Sequence, residues 1–162
     1  MRVMRWNDRR LLAEARRVVD GDRALVYPTD TLYGLGANPR SARGVLGVMR
    51  AKGRGPERPI SIAVADVTDI ETFALVGERE REIISRLMPG AVTVLLRARG
   101  WLRPPLVSTG GLVGLRVPDH EVCRALLRAC GPLTATSANR HGGREPDTAQ
   151  EAARQLSNSA AL

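Results

Sequence analysis

Lysine is nearly missing from this sequence. Of its 25 Lys and Arg residues, Lys52 is the one lysine. Aromatic residues are also few, with two Trp, two Tyr and one Phe, so platforms on which nucleic-acid bases could stack are scarce. The two cysteines, Cys123 and Cys130, fall on one expected helix. Two turns apart, their Cα atoms are separated by about 10 Å, too far for a disulfide, so they read as small buried apolar residues. His120 and His141 have no His or Cys at ligand spacing, which argues against a structural zinc site. No stretch of eighteen apolar residues occurs, so no membrane-spanning helix is expected. The opening "MRVMRWNDRR" carries charge and lacks the apolar run of a secretory signal, which makes the cytoplasm the expected location.

What is present is positive charge. The net charge is +8 and the pI is about 11.0. That balance suits anionic partners such as nucleotides or RNA, although dispersed arginine can also simply solvate a surface. No run of five or six basic residues occurs, so the charge is not a tail. A chain of 162 residues, 43% apolar, is long enough for one cored domain, expected here over residues 1–162.

Helix and strand patterns interleave along the chain. Helices are expected from Asn7 or Asp8 to Gly21, from Ser41 to near Lys52, over 66–76 and 78–88, from an Asp119 cap to 130, and from Thr148 to about 156, followed by a frayed tail. Strands are expected at 23–27, 59–65, 91–98 and 111–118, with a short one opening "GPLTATSAN" (131–139). The pattern predicts an α/β or α+β domain, a mixed sheet flanked by helices, whose strand order the sequence does not reveal.

Four polar loops stand where strands end, the usual place for ligands in open α/β sheets. In "YPTDTLYGLGANP" (27–39), Thr29 and Thr31 present hydroxyls, and Gly34 and Gly36 let backbone approach a ligand. The alternative is a tight turn with a capping Thr. In "AKGRGPERP" (51–59), Lys52, Arg54 and Arg58 bring three cations to a helix end. Such a cluster either is solvated or meets an anion; an ammonium suits phosphate oxygens as a point charge and Arg adds a bidentate fork. In "PLVSTGGLVGLRVPDH" (105–120), Ser108, Thr109, Gly110 and Gly111 resemble an anion nest. Arg116 in the same segment sits mid-strand, where it needs a carboxylate or phosphate if enclosed and none if it faces water from an edge. "TATSAN" (134–139) offers Thr136, Ser137 and Asn139, or a simple hydroxyl turn.

Taken in order, these segments, together with "PISIAVA" (59–65), "PGAVTVLL" (89–96) and "GGREP" (142–146), resemble the YrdC-type threonylcarbamoyl-AMP synthase family. The resemblance spans roughly residues 8–156. It implies a twisted α/β fold with a large, basic, concave cleft. It also implies an activity: L-threonine, bicarbonate and ATP, with Mg²⁺, give threonylcarbamoyl-adenylate and pyrophosphate for tRNA modification. By the resemblance, Thr31, Arg116 and Ala135 would contact threonine. Lys52 and Arg54 would be catalytic and, with Arg58, take the ATP phosphates. Ser137 and Asn139 would line the nucleotide pocket, with Ser108 and Thr109 nearby. No protein metal ligand is implied. A downstream threonylcarbamoyl transferase complex and tRNA or double-stranded RNA are the implied partners. Two departures stand out: Gly55 separates the Lys-x-Arg motif from Pro56, and Ala63 stands where some members carry His. Two other readings remain open, a non-catalytic RNA-binding module and a different carbamoyl-adenylate-forming enzyme.

Overall fold

A computed structural model describes residues 2–53, 55 and 57–156. Six strands form one mixed sheet: β1 (Leu25–Tyr27), β2 (Gly34–Gly36), β3 (Ser61–Ala63), β4 (Val94–Arg97), β5 (Leu112–Arg116) and β6 (Leu133–Ser137). Their order is β1-β2-β6-β3-β5-β4, with β3 and β5 parallel and every other pair antiparallel. The helices are α1 (Leu11–Asp20), α2 (Ala42–Lys52), α3 (Glu78–Leu87), α4 (Glu121–Cys130) and α5 (Ala149–Leu156). No described helix is long and apolar enough to cross a membrane. The expected frayed tail after 156 lies outside the described residues.

Side chains alternate across the sheet, and each set finds its own helices. Leu35, Ile62, Val113, Leu115 and Val117 share a core with Val45, Val48 and Met49 of α2, Ile84 of α3, and Ala152 and Leu156 of α5. Tyr27, Ala63 and Leu133 pack instead with Ala15, Val18 and Val19 of α1 and Cys123, Leu126 and Leu127 of α4. On that second face, Ser61, Ala135, Ser137 and Arg116 keep partial exposure. The part of the sheet not sealed by α1 and α4 is where the loop after β1 and the end of β6 carry their polar groups.

Local chemistry explains the element ends. The Asp8 carboxylate accepts from the Arg10 N–H at 2.9 Å, just ahead of α1. The Ser41 hydroxyl accepts from Gly44 N–H at 2.9 Å and starts α2, and Gly53, with φ +62°, ends it in the left-handed region. Thr148 Oγ1 accepts from Glu151 N–H and starts α5.

Three expectations need correction. The helix expected over 66–76 is a 3-10 turn, Val67–Thr72, because Ala74 leaves it to bridge Ala98. Helix α4 is capped by His120, not Asp119: the His120 Nδ1 accepts from Cys123 N–H at 3.3 Å, and the chain is still extended at His120. The segment 34–36, read as loop, is a strand. Its glycines serve packing rather than ligand access. A Cβ on Gly34 would lie 2.9 Å from the Tyr27 ring, and one on Gly36 would lie 2.4 Å from the Thr134 carbonyl oxygen. Tyr27 lies flat on this glycine strand, and its hydroxyl donates to that same carbonyl at 3.0 Å.

Candidate active site

Arg116 closes β5 on the partly open face of the sheet. Its strand neighbour on β3 is Ala63, in direct register. The strand is internal rather than at an edge, and the Arg116 side chain is 16% exposed. It therefore needs partners, and the loop after β1 supplies two. Nη2 donates to the Asp30 carboxylate in a short ion pair, and Nη1 donates to Thr31 Oγ1 at 3.1 Å. Nε donates to the Gly90 carbonyl at 3.1 Å.

The loop is shaped to make those contacts. The Thr29 hydroxyl accepts from the N–H groups of Thr31 and Leu32 at 3.2 and 3.1 Å and donates to the Leu32 carbonyl at 2.6 Å. The sequence alternative of a hydroxyl-capped turn is thus realised at Thr29, while Thr31 is left to face Arg116.

A cavity of about 160 Å³ opens beside Arg116, walled by Thr31, Ser61, Ala63, Thr93, Ala135 and Ser137 among others. It is smaller than the roughly 300–1,000 Å³ of drug-sized sites and suits a small polar molecule. A larger hollow, about 1150 Å³, lies under residues 2–7 against α1, β1 and α4; its walls include none of the candidate threonine- or ATP-binding residues.

Lys52 comes to the same region from α2. It is 4% exposed, and its ammonium donates to the Ser137 carbonyl at 2.6 Å, the Asn139 Oδ1 at 2.8 Å and the Ser137 Oγ at 3.1 Å. These acceptors suit an ammonium, which carries three donors. Ser137 Oγ also donates to Asn139 Oδ1 at 2.7 Å, and Asn139 Nδ2 donates to the Gly143 carbonyl at 2.6 Å. The His141 N–H donates to the Lys52 carbonyl at 2.8 Å, and Arg58 Nη1 donates to His141 Nε2 at 3.0 Å. That bond requires the proton of a neutral His141 to sit on Nδ1.

Most of the residues singled out in the sequence are therefore neighbours. Thr31, Arg116, Ala135 and Ser137 share one cavity, and Ser137 carries the contact on to Lys52, Asn139, His141 and Arg58. Arg54 lies outside the described residues. Ser108 and Thr109 do not join this group. They precede Leu112, at the opposite end of β5 from Arg116, a strand length of about 13 Å. The Ser108 hydroxyl accepts from Leu112 N–H at 3.1 Å and closes the turn into β5. Asp30, Ser61 and Thr93 are not singled out in the sequence, and His141 figures there only as a histidine without metal-ligand spacing. Asp30 lies inside a quoted motif, between two threonines, and its signal was the unmet charge of Arg116.

The two thiols play no part in this chemistry. Burial pushes Cys123 up to about 12, with the Asp30 charge adding to the rise, and burial pushes Cys130 up to about 11. Neither forms a thiolate near neutral pH.

Comparison with known proteins agrees with the geometry. The Sua5/YciO/YrdC family model, described as "Telomere recombination", matches residues 17–162. The threonylcarbamoyl-AMP synthase of Bacillus subtilis is 33% identical over 148 residues, which cover 90% of this chain and 43% of that one. Sua5 of Pyrococcus abyssi, solved in complex with L-threonine, superposes with a TM-score of 0.84 at 29% identity, covering 99% of this chain and 47% of that one. YciO of E. coli superposes with a TM-score of 0.85 at 23% identity, covering 96% and 77%, and attests the fold. The chain thus spans less than half the length of the first two relatives. A mixed six-stranded sheet with an arginine-centred cavity, and a family model that covers nearly the whole sequence, place this chain in the Sua5/YciO/YrdC family.

Proposed function

We propose that this chain forms threonylcarbamoyl-adenylate and pyrophosphate from L-threonine, bicarbonate and ATP, as a step in tRNA modification in the cytoplasm. One observation carries the reading: Ser137 belongs both to the wall of the Arg116 cavity and to the hydrogen-bond cluster of Lys52. A cation suited to a carboxylate, Arg116, and a cation suited to a phosphate, Lys52, are linked through one hydroxyl. The relatives described above, a threonylcarbamoyl-AMP synthase and a Sua5 solved with L-threonine, support it.

The chemistry needs placement and charge more than a protein nucleophile. Threonine's α-amine attacks carbon dioxide derived from bicarbonate and becomes a carbamate, releasing a proton. A carbamate oxygen then attacks the α-phosphorus of ATP, the bond to the bridging oxygen breaks, and pyrophosphate leaves. In this scheme Arg116 holds the threonine carboxylate and Thr31 Oγ1 meets its hydroxyl. Ala135, small and in register with Ser61, leaves room for the side chain. Lys52, Arg54 and Arg58 stabilise charge on the phosphates. Of the three side-chain bonds described for Lys52, the one to Ser137 Oγ is the longest, and exchanging it lets the ammonium meet a phosphate. The freed hydroxyl then also turns toward the nucleotide, beside Asn139.

Mg²⁺ enters with the triphosphate as part of the substrate. Among the described residues no group of three His, Cys, Asp or Glu could hold a metal ion. The donor set therefore fits an ion carried by phosphate oxygens and water, the usual habit of Mg²⁺.

The test is incubation of the protein with ATP, Mg²⁺, bicarbonate and L-threonine, followed by mass spectrometry. The adenylate should appear only when all four are present. Binding of RNA with no product would favour a non-catalytic module instead.

A further inference from the structure

Asp30 has no place in the scheme above, yet it makes the closest contact to Arg116. The two side chains are 14% and 16% exposed, so the pair is largely withdrawn from water. Thr29 and Thr31, on either side of Asp30 in the chain, wall the cavity, and Asp30 does not. It therefore meets the guanidinium without forming part of the cavity wall. The Thr29 hydroxyl bonds fix the backbone on both sides of it, which aims Asp30 and Thr31 at the same group.

We infer that Asp30 is a positioning residue that sets the orientation and the charge of Arg116 for an incoming α-amino acid. The inference rests on the threonine reading above. A guanidinium has five N–H donors in one plane. Asp30 on Nη2, Thr31 on Nη1 and Gly90 on Nε engage three of them and lock that plane, leaving two for a ligand. Asp30 also sets the net charge of the pair to zero. A plain anion then gains little from long-range attraction, whereas a zwitterion can place its carboxylate on Arg116 while its ammonium is favoured by the Asp30 charge. The pair makes the cavity selective for an α-amino acid over a hydroxy acid of the same shape.

The experiment uses the full chain with Asp30→Asn and Asp30→Glu. Asparagine keeps the shape and removes the charge; glutamate keeps the charge and adds one methylene of reach. Threonine and ATP parameters are measured separately by pyrophosphate release. Binding of L-threonine and of 2,3-dihydroxybutyrate, its analogue with hydroxyl in place of the amine, is measured by calorimetry without ATP. Asp30→Asn should raise the threonine KM and Kd about tenfold or more and Asp30→Glu about threefold, with the ATP KM within about twofold in both. Asp30→Asn should also narrow the preference for threonine over the hydroxy acid. A threonine KM unchanged in both variants, or an ATP KM rising in step with it, overturns the inference. Should Asp30→Asn fail to fold, Asp30→Glu alone decides by the same two criteria. Wild-type protein that neither binds threonine nor makes adenylate would instead refute the proposed function on which the inference rests.

Discussion

The Lys52 ammonium and the Ser137 carbonyl are 85 residues apart in the chain and 2.6 Å apart in the fold. The contact joins the end of α2 to the end of β6. It also buries a charge that the sequence places in a loop of Gly, Pro and Arg. A solvated basic loop would have kept that ammonium in water, so the burial favours a built site over an exposed patch.

Replacing Lys52 with Met removes the cation and keeps most of the stem. Adenylate synthesis should fall by about a hundredfold or more, the scale of a lost transition-state hydrogen bond. The Ser137 carbonyl and Asn139 Oδ1 lose a donor, so the melting temperature should fall as well. Threonine-dependent pyrophosphate release with and without the substitution, beside a thermal melt, separates the two effects.

Thr31→Val removes the acceptor of Arg116 Nη1 and the 3.2 Å hydroxyl contact to Thr29 Oγ1, with little change of shape. The threonine KM should rise about five- to tenfold, with the ATP KM unchanged, as for one lost hydrogen bond. Ala63→Leu, on the cavity wall beside Arg116, should block threonine more completely, since the cavity holds only about 160 Å³. Steady-state kinetics with each substrate varied in turn checks both.

Gly36→Ala should destabilise the fold without touching the proposed chemistry. The new methyl would meet the Thr134 carbonyl oxygen at 2.4 Å and the Tyr27 ring at 2.8 Å. Both neighbours are fixed, so the expected loss is at the upper end of the overpacking range, about 3 kcal/mol. Chemical denaturation of the variant against the wild type measures it.

Asp66 gives the stability a defined acid limb. Its carboxylate accepts from Arg128 and Arg124, with the Arg128 hydrogen bonds the larger cause, and its pKa is held below the usual carboxylate value. A group depressed in the fold contributes stability above its unfolded pKa, about 4, and loses it as pH falls through the lower folded value. The pair is partly exposed, so the contribution at neutral pH is at most about 1 kcal/mol, or about 2–4 °C in a chain of this size. Asp66→Asn should lower the melting temperature by that amount at pH 7, and the difference should close below pH 4.

The sequence made much of this molecule readable, and the failures have physical causes. The periodicity of Ala15, Val18 and Val19 in α1, and the Ser41 cap of α2, are local signals, and they are realised. Strand β2 escaped because Gly-Leu-Gly has no strand signature of its own; it is a strand because Tyr27 and Thr134 from elsewhere need bare backbone there. Strand order is a long-range property and could not be read. Among the site residues, Thr31, Lys52, Arg116, Ser137 and Asn139 stood out as unusual polar groups at strand or helix ends, and they do converge. Ser108 and Thr109 stood out for the same reason and do not, because a hydroxyl beside glycine serves a turn as well as a ligand. Asp30 was passed over because its role depends on Arg116, far away in the chain.

The most direct measurement supplies ¹⁴C-bicarbonate to the purified protein with Mg-ATP and L-threonine and follows label into a nucleotide product. The account predicts labelled adenylate formed only with both co-substrates present, together with one pyrophosphate per product, and lost in the Lys52→Met variant. Folded wild-type protein that transfers no label, or transfers it equally well without threonine, would contradict it.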